Sequence, residues 1–259
     1  MNLNKTKIVA TVGPACSSRS MLSKLISSGV DVFRINFSHA SHNEVKRIVS
    51  DIKDLRQEHN KHVTILGDLQ GPKIRTGKVV DGCVLKKGDQ IVFTTNLIEK
   101  GDNSMVQIGY NLFPKDVKKD EKVMVDDGKI ILKVVKTNKT DEVTLDVIQG
   151  GELKSNKGVN LPNTKISLPA LTEKDIIDAK FAIKNSFDWI ALSFVRSKND
   201  VLMLKELIQT ETKKSMPIIS KIEKPQAINK LESILKVSDG LMVARGDLGL
   251  EIPAEEVPI

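Results

Sequence analysis

The chain has 259 residues, of which 40% are hydrophobic and 28% charged, values that exclude a disordered or fibrous protein. Its formal net charge is +7, but aromatics supply only 3% and the lysines are scattered, which disfavours nucleic acid and favours small anionic partners. No stretch approaches the ~20 apolar residues that span a bilayer, the N-terminus has no signal-like apolar run, and Cys16 and Cys83 fit no metal or disulfide pattern, so a cytoplasmic protein with reduced thiols and no membrane is expected.

Residues 7–13 (KIVATVG) read as a buried strand, 17–28 as a helix stopped by Gly29, and 30–38 (VDVFRINFS) as a second strand. A helix over 41–59 leads into a third strand over 62–69, and such short connections favour parallel pairing. From Gly71 the texture changes. Residues 72–168 hold short alternating strands, such as DQIVFTT, EKVMVDDG, KIILKVVK and EVTLDVI, separated by turn residues; this reads as an inserted β domain. Helical signals resume where Thr172 and Asp175 have capping-box spacing. A strand over 187–194, a helix over 197–213, a strand over 216–223, a helix over 225–236 and a strand over 238–245 follow. The expected domains are therefore 1–71, 72–168 and 169–259, with about six parallel strands outside the insert. Six strands suffice for a doubly wound sheet but fall two βα units short of a closed (β/α)₈ barrel.

Reactive groups in such folds gather at the carboxyl ends of the strands. The second strand ends with Arg34, Asn36 and Ser38 on one face and Ile35 and Phe37 on the other. The fifth is apolar until Lys221 and Glu223, two residues apart on one face; a structural ion pair would explain them equally well. Asp247, at the end of the next strand, adds a second carboxylate, and two hard oxygen donors with room for water and substrate suit Mg²⁺ or Mn²⁺. Gly246 permits close backbone approach, so the N–H groups from Ala244 through Arg245 to Asp247 could hold a carboxylate or phosphate. Among the histidines only His39 lies near this site, while His59 and His62 flank a turn and read as solvated. With Arg34, Arg75 and Lys221 and no evident nucleophile or base, the set is built to stabilise negative charge, as phosphoryl transfer requires.

At TVGPACSSRS (11–20), RINFSHASH (34–42), GDLQGPKIRTG (67–77), VDDGKI (125–130), KGVNLP (157–162), LPALTEKD (168–175), ISKIEKPQAI (219–228) and SDGLMVARGDLGLEIPAEEVPI (238–259) the chain resembles the pyruvate kinase family over essentially its whole length. The resemblance implies a (β/α)₈ TIM barrel, interrupted after its third strand by a mobile all-β lid, and transfer of a phosphoryl group from phosphoenolpyruvate to ADP. It implies that Lys221 stabilises the phosphoryl group in flight, that Glu223 and Asp247 ligate the divalent metal, that Arg34 holds the transferring phosphate, and that Arg75 and Lys157 meet nucleotide phosphates. Ala244, Arg245, Gly246 and Asp247 match the substrate-binding turn, and Pro14, Asn36, His39 and Asp126 match positions near the nucleotide. Asn36, Ser38 and Asp68 match the monovalent-cation pocket of potassium-dependent members. Those members carry Thr-Lys after the aspartate and Glu after Gly-Pro, whereas this chain reads Leu69-Gln70-Gly71-Pro72-Lys73, so Lys73 is expected to serve that pocket and K⁺ not to be required. The resemblance also implies a homotetramer for a complete enzyme. Because the chain stops at Ile259, past the sixth strand, it is expected to be an N-terminal fragment, inactive or poorly active alone. A metal-dependent lyase or aldolase acting on phosphoenolpyruvate or pyruvate, and a non-catalytic binding protein, are the alternative readings.

Overall fold

The computed structural model describes residues 5–258; residues 1–4 and 259, at the ends of the segment read for a signal and of the last matching stretch, lie outside it. The chain divides into two compact units. The first takes residues up to Gly71, Ala170–Ile222 and Gln226–Val243; the second takes Pro72–Pro169, Glu223–Pro225 and the residues from Ala244 onward.

In the first unit, strands β1 (Val9–Thr11), β2 (Val32–Asn36), β3 (Thr64–Asp68), β4 (Trp189–Leu192), β5 (Ile218–Ile222) and β6 (Gly240–Val243) form one six-stranded sheet in that order. Every pairing is parallel. Connecting helices α1 (Arg19–Ser27), α2 (His42–Glu58), α3 (Glu173–Lys184) and α4 (Lys198–Glu211) have ends written in the sequence. Ser18 and Ser41 cap α1 and α2 by accepting from Met21 N and Glu44 N, and Thr172 and Asp175 form the expected reciprocal box at α3. The helix read over 225–236 is two short helices, Pro225–Ile228 and Leu231–Leu235, separated at Asn229-Lys230, where Asn is a poor helix former. The sheet is open: β1 and β6 each have one partner among the described residues, and Val9 and Val243 on them are 48% and 52% exposed.

The turn leaving β3 is fixed by Gly71. Its φ is +70°, and a Cβ there would lie 2.8 Å from Phe194 Cδ2 and 3.0 Å from Ser193 Cβ, so only glycine fits. Its N–H donates to Asp175 Oδ1 at 3.0 Å, while Asp175 Oδ2 accepts from Thr172 N and Oγ1. One fully buried carboxylate thus ties the departing chain to the returning one.

The second unit holds a largely antiparallel six-stranded sheet in the order Val159–Asn160, Lys122–Val125, Ile130–Thr137, Glu142–Gln149, Gln90–Thr94, Met105–Gln107. Its strands alternate buried and solvated residues, as expected when one sheet face is covered, and Phe93, Phe113, Val123, Leu132 and Leu145 sit in its core. No helix among the described residues is long and apolar enough to cross a membrane.

Candidate active site

In β2, period-two alternation buries Phe33, Ile35 and Phe37 and leaves Arg34, Asn36 and Ser38 half-buried on the opposite side. The neighbouring β3 ends in Asp68, which is 1% exposed. Arg34 Nε donates to Asp68 Oδ2 at 2.7 Å, Nη2 lies 2.5 Å from the same oxygen, and Nη1 donates to Thr11 Oγ1 on β1 at 2.7 Å. From the other side Lys221, on β5 and also buried, brings Nζ to 3.3 Å from Asp68 Oδ1 and donates to Ser193 Oγ at 2.8 Å. Ser193 follows β4 directly, and its Oγ lies 2.7 Å from Leu69 O. The pairings Thr11 with Arg34, Asn36 with Asp68, and Asp68 with Ala191 place these groups along the carboxyl ends of neighbouring strands.

One buried carboxylate between two cations is fully compensated and still leaves the row net positive. Burial makes such charges costly unless they are paired and hydrogen-bonded, and here each is. The row is suited to an anion. Sequence reasoning singled out Arg34, Asp68 and Lys221 but missed Thr11 and Ser193; the available signal was a hydroxyl closing an otherwise apolar strand, as in Ala191-Leu192-Ser193.

Pro14, Asn36 and His39 line one cavity of about 350 Å³ in the first unit, together with Thr11 and Glu44. Asn36 Oδ1 accepts from Ser38 N at 3.0 Å, closing a local turn after β2. Elsewhere His42 Nε2 meets Asp178 Oδ1 at 2.7 Å and stacks on Phe181. His59, expected to be solvated, is half-buried and lies 2.8 Å from Ser23 Oγ, because α1 and α2 pack side by side.

The remaining candidates belong to the second unit. Asp126 and Asp127 make the turn between strands Lys122–Val125 and Ile130–Thr137 with φ of 52° and 55°, a region Asp tolerates better than most residues. Lys157 Nζ lies 2.8 Å from Asp126 Oδ1 and Lys129 Nζ 3.0 Å from Oδ2. These two hydrogen bonds, Lys157 first, hold the Asp126 carboxyl below its usual range. Lys157 is placed by Thr76, whose N–H donates to Lys157 O at 2.8 Å and whose Oγ1 accepts from Lys157 N at 3.0 Å, and Arg75 donates to Asn156 O at 3.1 Å.

Asp247 occupies the first turn of helix Arg245–Glu251, which Ala244 precedes, so the N–H groups of Arg245, Gly246 and Asp247 are first-turn donors. Lys73 Nζ lies 3.9 Å from Asp247 Oδ1, and its Cε would be 3.3 Å from a Cβ on Gly158. Glu223, 1% exposed, follows β5 immediately. Glu251 and Lys224, both buried, pair at 2.6 Å, and Asn160 Nδ2 donates to the same Glu251 oxygen at 2.8 Å. Glu223 and Asp247 are hard oxygen donors that fit a Mg²⁺-type ion, which completes its shell with substrate and water oxygens.

A family model described as "Pyruvate kinase, barrel domain" matches residues 3–259. Pyruvate kinases of Staphylococcus epidermidis, Staphylococcus aureus and Staphylococcus haemolyticus are each 44% identical over 259 residues, covering 99% of this chain and 44% of the relative. The chain thus spans rather less than half the length of these curated relatives.

Proposed function

The chain belongs to the pyruvate kinase family, and on that premise we propose that it carries the machinery for transferring a phosphoryl group from phosphoenolpyruvate to ADP, giving pyruvate and ATP. The observation that carries this reading is the buried row Arg34–Asp68–Lys221 across three strands of a parallel sheet. In the transfer, the bond from phosphorus to the enol oxygen breaks, its electron pair staying on that oxygen, while an oxygen of the ADP β-phosphate bonds to phosphorus; the enolate left behind becomes pyruvate by taking a proton, ultimately from water, at its methylene carbon. Negative charge spreads over the phosphoryl oxygens, and fixed cations that need no reorganisation stabilise it most.

In this reading Arg34, locked by Asp68 and Thr11, holds the phosphate in place, and Lys221 stabilises the group in transit. Glu223 and Asp247 would hold Mg²⁺ or Mn²⁺, which when bound neutralises substrate oxygens. The first-turn N–H groups of Arg245, Gly246 and Asp247, with Ala244 before them, are donors for a substrate carboxylate. Arg75 and Lys157 meet nucleotide phosphates, with Asp126 fixing Lys157, and the cavity of Pro14, Asn36 and His39 takes the rest of the nucleotide. Around Asn36, Ser38 and Asp68, tethered charge replaces a monovalent ion: Asp68 already has Arg34 and Lys221, while Lys73 pairs with Asp247. K⁺ is then not required. The finer architecture proposed is a (β/α)₈ TIM barrel divided by an inserted β domain over 72–168, in a cytoplasmic enzyme assembling as a homotetramer.

An assay of pyruvate release from phosphoenolpyruvate with and without ADP tests this. In a complete enzyme carrying this chain, ADP-dependent pyruvate with matching ATP is the expected result; the 259 residues alone should turn over little. Consumption of phosphoenolpyruvate without ADP would point to a lyase, and binding with no turnover to a non-catalytic protein.

A further inference from the structure

We infer that Ser193 is a positioning residue for Lys221, an assignment that rests on the proposed role of Lys221 in phosphoryl transfer. An ammonium has only protons to give, so in the 2.8 Å contact Lys221 donates and Ser193 Oγ accepts. A serine hydroxyl has one proton of its own, and its best acceptor is Leu69 O at 2.7 Å, with Asp68 Oδ1 farther away at 3.3 Å. With that proton directed to Leu69 O, a lone pair is aimed at the lysine. The hydroxyl therefore ties the end of β3 to the lysine of β5 across the end of β4, and sets where the ammonium sits relative to Asp68.

Its own position is over-determined. Ser193 is 2% exposed, and Gly71 closes against it so tightly that a Cβ on Gly71 would lie 3.0 Å from Ser193 Cβ and 3.1 Å from Ser193 O. The glycine of the turn and the lysine of the sheet are thus coupled through one serine. Misplacing a charge that acts only in the transition state lowers kcat more than it weakens ground-state binding.

The kinetic test compares Ser193→Ala, Ser193→Cys and Gly71→Ala with wild type and with Lys221→Met, each in a complete enzyme carrying this chain. In Ser193→Ala, kcat should fall about 10- to 100-fold, with KM for phosphoenolpyruvate and ADP within about twofold. Ser193→Cys, similar in shape but a weaker acceptor, should fall between, and Gly71→Ala should lower kcat through the displaced serine. A readout that needs no turnover is the ¹⁵Nζ resonance of the Lys221 ammonium in the 259-residue chain. It should be slowly exchanging in wild type and lost or averaged in Ser193→Ala. If Ser193→Ala kept wild-type kcat, or left the ammonium signal unchanged, the positioning role would be overturned while Lys221 kept its own. Retained turnover in Lys221→Met would instead remove the reading on which the inference rests. Should Ser193→Ala fail to fold, Ser193→Cys decides by the same two measurements.

Discussion

Each unit of this chain holds an aspartate between two cations, and the two arrangements differ mainly in their access to water. Asp68 is 1% exposed and meets Arg34 and Lys221 at the ends of parallel strands covered by helices. Asp126, at a hairpin turn, meets Lys157 and Lys129, whose side chains are 31% and 71% exposed. Asp126 is itself buried, but water and salt reach Lys129 far more than they reach Lys221 or Arg34, whose side chains are 10% and 24% exposed. The same pairing chemistry therefore gives a rigid, preorganised charge in one place and an adjustable one in the other. Under the proposed function, that division suits an enzyme that must hold the transferring group still and admit and release a nucleotide.

The largest expected effect comes from the buried row. In a complete enzyme carrying this chain, Lys221→Met should lower kcat by about three orders of magnitude or more, since one preorganised transition-state contact is worth about 3–4 kcal/mol. Steady-state kinetics with unchanged Mn²⁺ affinity would place the loss in the charge rather than in metal binding, and Glu223→Gln should show the reverse weighting.

A second substitution asks whether burial or the identity of the unit governs the difference. Lys224 and Glu251 lie in the same unit as Asp126, but here the lysine as well as the carboxylate is buried. Lys224→Met should lower the unfolding free energy by about 3 kcal/mol, because it strands a buried carboxylate. Lys224→Met combined with Glu251→Leu should recover most of that in urea denaturation. A loss as small as that of a surface pair would break the comparison.

The trio with exposed lysines supplies the small effects. Lys129→Met should change stability least of all, and the change should fade further in salt. The depressed carboxyl of Asp126 sets the sign with pH. Its contribution is present above the ordinary value of 3.8 and is lost as pH falls below that through the folded-state value. Asp126→Asn should flatten that acid limb, measurable as Tm against pH, and an unaltered limb would assign it to other carboxylates.

Much of this was legible in the sequence because its physical causes are local. Alternation in VFRIN predicts which side chains of β2 are buried, the spacing of Thr172 and Asp175 predicts the box that starts α3, and the apolar run before Lys221 predicts a strand ending in charge. Contacts between segments distant in the chain left no such mark. Nothing in ALSF shows that Ser193 accepts from a lysine 28 residues on, nor does Gly71 announce that it packs against that serine. The pair of Lys224 with Glu251 joins residues 27 apart, beyond any helical or strand period.

The measurement that bears most directly on the claim that this chain supplies its own positive charge is an assay, in a complete enzyme carrying it, of phosphoenolpyruvate- and ADP-dependent turnover in tetramethylammonium buffer, with Mg²⁺, with and without KCl at constant ionic strength. The account predicts equal rates in both, and predicts that Lys73→Glu combined with Leu69→Thr and Gln70→Lys creates a K⁺ requirement. Strong activation of the unaltered protein by K⁺ would contradict it.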